Sequence, residues 1–319
     1  MTVMRDSKEI EIKSSLIEFP TTFDINDFYK SNDWKLDLGF PTIDRLIGGL
    51  RPGKVSVIPE GTILGGVWAT WIAINIILKR GCPTLFYTPS NRTSLAESIA
   101  FELSKLNSDI EIDNTAAVKH VRYLAVKKLL NKVPLEENYH PLTLEGLEAW
   151  IHETSSRGIS GKWPPKLLII RDIEDLEVNY DHSNDYYRPL REEKCLIALS
   201  SLKKLAELYE IHILISKRPL PVGEEELHKA VDFLLRFEET AVNVPGRSRF
   251  PDLVDDEFRN VRILKNAGGK TGDFPICFIY DKHGLREGFS EWAEETFGSK
   301  LGIVLDFLGL NKLRTMVCD

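Results

Sequence analysis

Of 319 residues only 4 are cysteine, at Cys82, Cys195, Cys277 and Cys318, and no two form a C-x-x-C pair. That scatter excludes a zinc ribbon or a disulfide framework as the organising device. Cys195 and Cys277 fall in apolar contexts, where a small buried thiol is the ordinary state. The 7 histidines (His120, His140, His152, His182, His212, His228 and His283) show no metal-ligand spacing, so no metal is expected. An excess of positive charge is also lacking. Lys and Arg total 41 against 48 Asp and Glu, a net charge of −7, which excludes a broad basic footprint for nonspecific nucleic-acid binding. Long apolar runs are missing too. The longest, Trp68 to Leu78 and Leu301 to Leu310, fall short of the ~20 residues that span a bilayer. Residues 1–8 carry no apolar core of a signal peptide. The expectation is a cytoplasmic chain with no membrane contact.

One absence is chemically sharper. A short apolar strand at Val55 to Ile58 is followed by E-G-T-I-L-G-G-V over residues 60–67 and then by an apolar helix from Trp68. A phosphate loop in this setting reads G-x-x-x-x-G-K-[ST]. Without gaps, Gly65 keeps its place, Gly66 occupies the lysine position and Val67 the Mg²⁺-holding hydroxyl position. Gly61, Gly65 and Gly66 leave the backbone permissive, and N–H groups at a helix start can hold an anion without a lysine. Glu60 beside the loop repels phosphate, and Ile63, Leu64 and Val67 make its lip apolar. The loop is expected to be packed shut.

What is present is a globular composition, with 43% hydrophobic and 28% charged residues. Strand-like runs alternate with helical ones, which predicts an α/β fold with a mainly parallel twisted sheet flanked by helices. Strands are expected at 55–58, 84–87, 167–170, 211–215, 233–237, 260–264 and 274–280, the last three as an antiparallel meander on one edge. Helices are expected at 67–79, 94–106, 116–131, 143–155 and 192–210. In the last, Leu199, Leu202, Leu205 or Ala206, and Tyr209 make a core-facing stripe.

Three segments carry a family resemblance. G-F-P-T-I-D-R-L-I-G-G-L-R-P-G over residues 39–53 opens the core. Residues 198–216 form a helix running into a strand, and K-N-A-G-G-K-T-G over 265–272 precedes another strand. In this order and spacing they resemble the C-terminal motor domain of DnaB-type replicative helicases, within the RecA-like ATPases. The resemblance spans Leu36 to Asp281 and implies a RecA-like domain over 36–283. It also implies a linker or docking segment over 1–35 that sits on a neighbouring subunit, and leaves a helical extension over 284–319.

The resemblance also implies where ATP chemistry would sit, and the residues there are unsuited to it. The catalytic glutamate position after the 84–88 strand holds Ser90, flanked by Pro89 and Asn91. The γ-phosphate-sensing glutamine position holds Lys217. The arginine of the K-x-R-x-G segment, which reaches a neighbour's phosphate, is replaced by Ala267, although Lys265 remains. The metal-facing aspartate is Asp172, one residue late, or is replaced by Arg171. Lys217, Arg218 and Lys265 are the cations available as substitutes. Phosphoryl transfer is positioning plus charge stabilisation, and an arginine finger alone contributes roughly 10³ to 10⁵ in rate. Losing lysine, hydroxyl, base and finger together predicts a pseudo-ATPase with no catalytic residues and no resident cofactor.

Two loops carry residues suited to DNA. Tyr186 and Tyr187 in the 179–191 loop could stack on bases, and Arg247 and Arg249 in the 242–251 loop could meet phosphates. Such loops more often carry solvated or half-buried side chains. The expected function is a non-catalytic accessory, scaffold or regulatory subunit in DNA replication or recombination, acting on protein partners. These include a second copy or an active helicase subunit. The alternatives are an ATP-dependent DNA translocase with an atypical phosphate loop, using ATP and Mg²⁺, or a single-stranded DNA binder without turnover.

Overall fold

A computed structural model describes residues 29, 34–59, 70–89, 95–99, 124, 127, 128, 130, 131, 133–171, 173–178, 191–217, 222–241, 257–267, 271–281 and 284–287. The strands are β1 (Val55–Pro59), β2 (Thr84–Tyr87), β3 (Leu135–Asn138), β4 (Leu167–Ile170), β5 (His212–Lys217), β6 (Phe233–Ala241), β7 (Glu257–Asn266), β8 (Gly272–Asp281) and β9 (Gly284–Glu287). The helices are α1 (Pro41–Ile47), α2 (residues 70–79), α3 (Leu144–Arg157), α4 (Arg191–Tyr209) and α5 (Glu224–Ala230). The strands form one sheet in the order β3-β2-β4-β5-β1-β6-β7-β8-β9. From β3 to β6 every pairing is parallel, and from β6 to β9 every pairing is antiparallel.

Strand composition explains position. β2 (T-L-F-Y) and β4 (L-L-I-I) are buried at every residue, as central parallel strands covered on both faces must be. β3 (L-E-E-N) is only half-buried throughout and lies at the edge. Successive residues alternate between two apolar layers. Ile58, Phe86, Leu167, Ile169 and Leu214 join the layer under α1 and α2. Val57, Leu85, Leu168, Ile170, Ile213 and Ile215 join the layer under α3 and α4.

α2 is apolar all round, with every residue from Trp71 to Leu78 buried, and its second half (Ile74–Lys79) is wound as a π-helix. α3 starts at Thr143, whose hydroxyl accepts from the Gly146 N–H at 3.0 Å, and stops at Gly158 with φ +77°. Leu147, Ile151 and Thr154 make its buried face. In α4 the expected stripe is observed, with Leu199, Leu202, Leu205 and Ala206 buried and Tyr209 packed against them.

The structure adds elements not expected from the sequence. α1 occupies a stretch read as a turn, α5 precedes β6, and β3 and β9 extend the sheet at its two edges. β9 pairs with β8 beyond the domain boundary placed at 283. Tyr29 of the leading segment contacts its own domain. Its hydroxyl donates to the Pro164 carbonyl at 2.6 Å, and its ring stacks on Trp163 with centroids 5.6 Å apart. Lys166 places its ammonium 4.9 Å from the same ring. Among the described residues no helix is long and apolar enough to cross a membrane.

Candidate functional site

In open parallel sheets, ligands bind beyond the carboxyl ends of the strands. Here that edge is built by β2, β4, β5 and β1 side by side. β5 lies between β1 and β4, pairing Ile58 with Ser216 and Pro59 with Lys217 on one side, and Ile170 with Ile215 on the other. Tyr87 pairs with Ile170, and the Arg171 N–H donates to the Tyr87 carbonyl at 3.1 Å. The residues after Pro59, Tyr87, Ile170 and Ser216 therefore leave the sheet at one edge. Lys217 stands in register with the last residue of β1. Glu60, Gly61, Gly65, Gly66, Val67, Ser90, Asp172 and Arg218 lie outside the described residues, as do Tyr186, Tyr187, Arg247 and Arg249.

The opening motif is held by one carboxylate. Asp44 accepts from the N–H groups of Leu38 at 2.6 Å, Gly39 at 2.9 Å and Phe40 at 2.9 Å. Burial pushes the Asp44 carboxyl up to about 7. Neighbouring Asp37 adds to the rise, and the three N–H donors oppose it. Gly39 has φ +88°, and a Cβ there would fall 2.2 Å from Asn75 Nδ2. That amide, buried in α2, donates to the Leu38 carbonyl at 3.0 Å. The motif read from the sequence thus serves locally to fasten the start of the core to the helix behind β1.

A second polar cluster lies at the opposite, amino end of the parallel strands. Asp232, just before β6, accepts from the Val55 N–H at 3.1 Å and pairs with Lys54 at 3.6 Å and Lys203 at 3.5 Å. His212 opens β5 and is buried. Its Nδ1 meets the Arg51 carbonyl at 2.7 Å and its Nε2 meets Ser56 Oγ at 2.9 Å. Burial brings the imidazole down to about 4, against the Arg51 hydrogen bond and the Asp232 charge. Lys265 joins this cluster. Its ammonium donates to the His228 carbonyl, and burial, helped by Lys203 and Lys54, lowers its pKa. The exposed Ala267 lies beside it, its N–H donating to the Asp232 carbonyl at 3.1 Å. Lys54, Arg51, His212, Asp232, Asn266 and Ala267 border a cavity of about 150 Å³.

This placement corrects one expectation. Lys217 and Lys265 cannot substitute together at one phosphate site, because they stand at opposite ends of the sheet. Lys217 is beside Pro59, whereas Lys265 is near Asp232 and Lys54. The length of β1 separates those positions by roughly 16 Å at ~3.3 Å per residue. The physical reason is strand direction. β7 runs antiparallel to β6, so its last residues return to the amino ends of the parallel strands.

Sequence reasoning missed Asp44, Asn75, Asp232 and His212 as organising residues. The signal available was a polar residue bordering or interrupting an apolar run: Asn75 within a helix of isoleucines, and His212 and Asp232 flanking buried strands.

No family model matches the sequence, and no curated protein matches it. Solved structures do match its fold. A DnaB-like replicative helicase, studied with its interactions with primase, superposes with a TM-score of 0.57 at 15% identity, covering 80% of this chain and 62% of that one. A second structure, an ATPase domain solved on its own, superposes with a TM-score of 0.58 at 12% identity, covering 81% of this chain and 93% of that domain. The present chain therefore spans less than two thirds of the first helicase. With the parallel order β3-β2-β4-β5-β1-β6 and the antiparallel edge, these matches establish that the chain has the RecA-like α/β fold of a DnaB-like helicase ATPase domain.

Proposed function

We propose that this chain is a helicase-like pseudo-ATPase that works through its surfaces, as a non-catalytic accessory or regulatory subunit in DNA replication or recombination. The observation that supports it most is the composition of the carboxyl edge of the sheet. The segments leaving β1, β2, β4 and β5 are those from which a RecA-like site draws its lysine, hydroxyl, base, metal ligand and phosphate sensor. Here they supply Gly66, Val67, Ser90, Arg171 with Asp172, and Lys217. One such change can be compensated, but changes in four separate segments leave the transition-state charge without a stabiliser. The partner is a protein, either a second copy or an active helicase subunit. The helicase of matching fold has interactions with primase, and a RecA-like surface without turnover is suited to protein contacts of that kind. A net charge of −7 makes DNA the lesser partner.

Calorimetric titration with Mg·ATP tests this, with hydrolysis assayed on the same sample with and without single-stranded DNA. The expected result is no turnover under either condition. DNA-stimulated turnover that disappears in Lys217→Ala would overturn the proposal and make the chain a motor with a relocated charge.

A further inference from the structure

Glu136 and Glu137 are neighbours on β3 with opposite surroundings. Glu136 faces α3, and one of its oxygens accepts from Trp150 Nε1 at 2.8 Å, Thr154 Oγ1 at 3.5 Å and Arg157 Nη2 at 2.5 Å. Glu137 shares the other face of β3 with Leu135, which packs against the layer under α1 and α2. The Tyr139 side chain and the Leu95 N–H bond its carboxyl group. Its Oε1 is buried with no hydrogen-bond partner among the described residues. Burial raises the acid's pKa above its ordinary value, with those two hydrogen bonds and the Lys127 charge opposing.

This carboxyl group borders a cavity of about 300 Å³, lined by Ala96, Lys127, Leu130, Leu135, Glu137 and Tyr139 among others. That volume is at the lower end for small-molecule sites, and apolar walls with a few convergent polar groups are their usual make-up. A desolvated carboxylate oxygen costs free energy until a donor reaches it. The donor is not a full cation, because Lys127 stands on the same wall. An ammonium beside a carboxylate complements a neutral edge that carries N–H next to a carbonyl. Ala96, Leu130 and Leu135 supply apolar contact for a ring, and Tyr139, 39% exposed, offers an aromatic face.

We infer that this cavity binds a guanine base, with Glu137 accepting from its N1–H and 2-amino group and Lys127 donating to O6. The site is separate from the phosphate loop. β3 lies four strands from β1 in the sheet, roughly 19 Å at ~4.8 Å per strand.

The test is titration calorimetry of the full chain with guanosine, which carries no phosphate, so its outcome is independent of the pseudo-ATPase reading. Guanosine should bind saturably, adenosine should not, and Glu137→Gln should weaken guanosine at least tenfold while unfolding as cooperatively as the parent. A parallel titration uses oligothymidine carrying one guanine, or one hypoxanthine in its place, which lacks the 2-amino group. Guanosine binding identifies a free nucleoside site. Binding confined to the guanine oligonucleotide, and lost with hypoxanthine and with Glu137→Gln, identifies a base within a strand. Failure of both probes, or binding unchanged in Glu137→Gln, overturns the inference.

Discussion

The two ends of the parallel sheet are built on different principles. At the amino end the described charges are matched within the fold. Asp232 holds two lysines and the Val55 N–H, His212 bridges Arg51 and Ser56, and Lys265 is spent on a backbone carbonyl. At the carboxyl end the strands align Pro59, Lys217 and Ile170, and the chemistry depends on what the next residues supply. The amino end therefore reports on folding and the carboxyl end on ligands, so a substitution at one should leave the readout of the other unchanged.

The largest expected break in that separation is with pH. His212 titrates near 6.5 when unfolded and at about 4 in the fold, so its neutral form is favoured by folding. Its contribution is fully present above pH 6.5 and is lost as pH falls toward 4, by about 3 kcal/mol. Denaturant unfolding between pH 7 and 4.5 measures this, and His212→Asn should flatten the dependence. Next comes Asp232→Ala, which strands the buried Val55 N–H and removes the anion between Lys54 and Lys203. Because both lysines are partly exposed and screened, the cost is about 2 kcal/mol, read as a lower denaturation midpoint. Asp232→Asn, which can still accept from Val55, should cost less. Neither variant should change the response to Mg·ATP.

At the other end, the double substitution Gly66→Lys with Val67→Thr should raise Mg·ATP affinity about tenfold or more, the scale of a charge-assisted hydrogen bond. It should not produce turnover, because Ser90 and Ala267 still supply neither base nor finger. Calorimetry and a phosphate-release assay separate the two effects. The smallest effect is Thr143→Ala, which removes the cap of α3 and should cost about 1 kcal/mol in unfolding experiments with no functional change.

Much of the fold was legible because burial on both faces leaves a plain mark. β1, β2 and β4 are short apolar runs between breakers, and α4 shows a helical stripe, so their places follow from composition. β3 was not legible, because L-E-E-N is too short and polar to show a period and is fixed as a strand by pairing with β2. α1 was hidden by Pro41 and by glycines at 39, 48 and 49. Pro suits a first helical turn and Gly48 ends the helix with φ +71°, but the same residues also describe a turn. The residues of the expected ATP site were legible as substitutions within a motif, whereas Glu137 carried no signal until two helical segments closed over it.

By itself the sequence determined the layering of the fold and the missing phosphate-loop groups, because burial periodicity and side-chain chemistry are local properties. Tertiary structure decided which charges meet. Strand direction sent Lys265 to the amino end, away from Lys217, and parallel pairing joined His212 to Ser56 across 156 residues. The alternation of β3 gave Glu136 three donors and Glu137 a cavity. None of these meetings follows from sequence distance, since each is set by register and crossover between strands far apart in the chain.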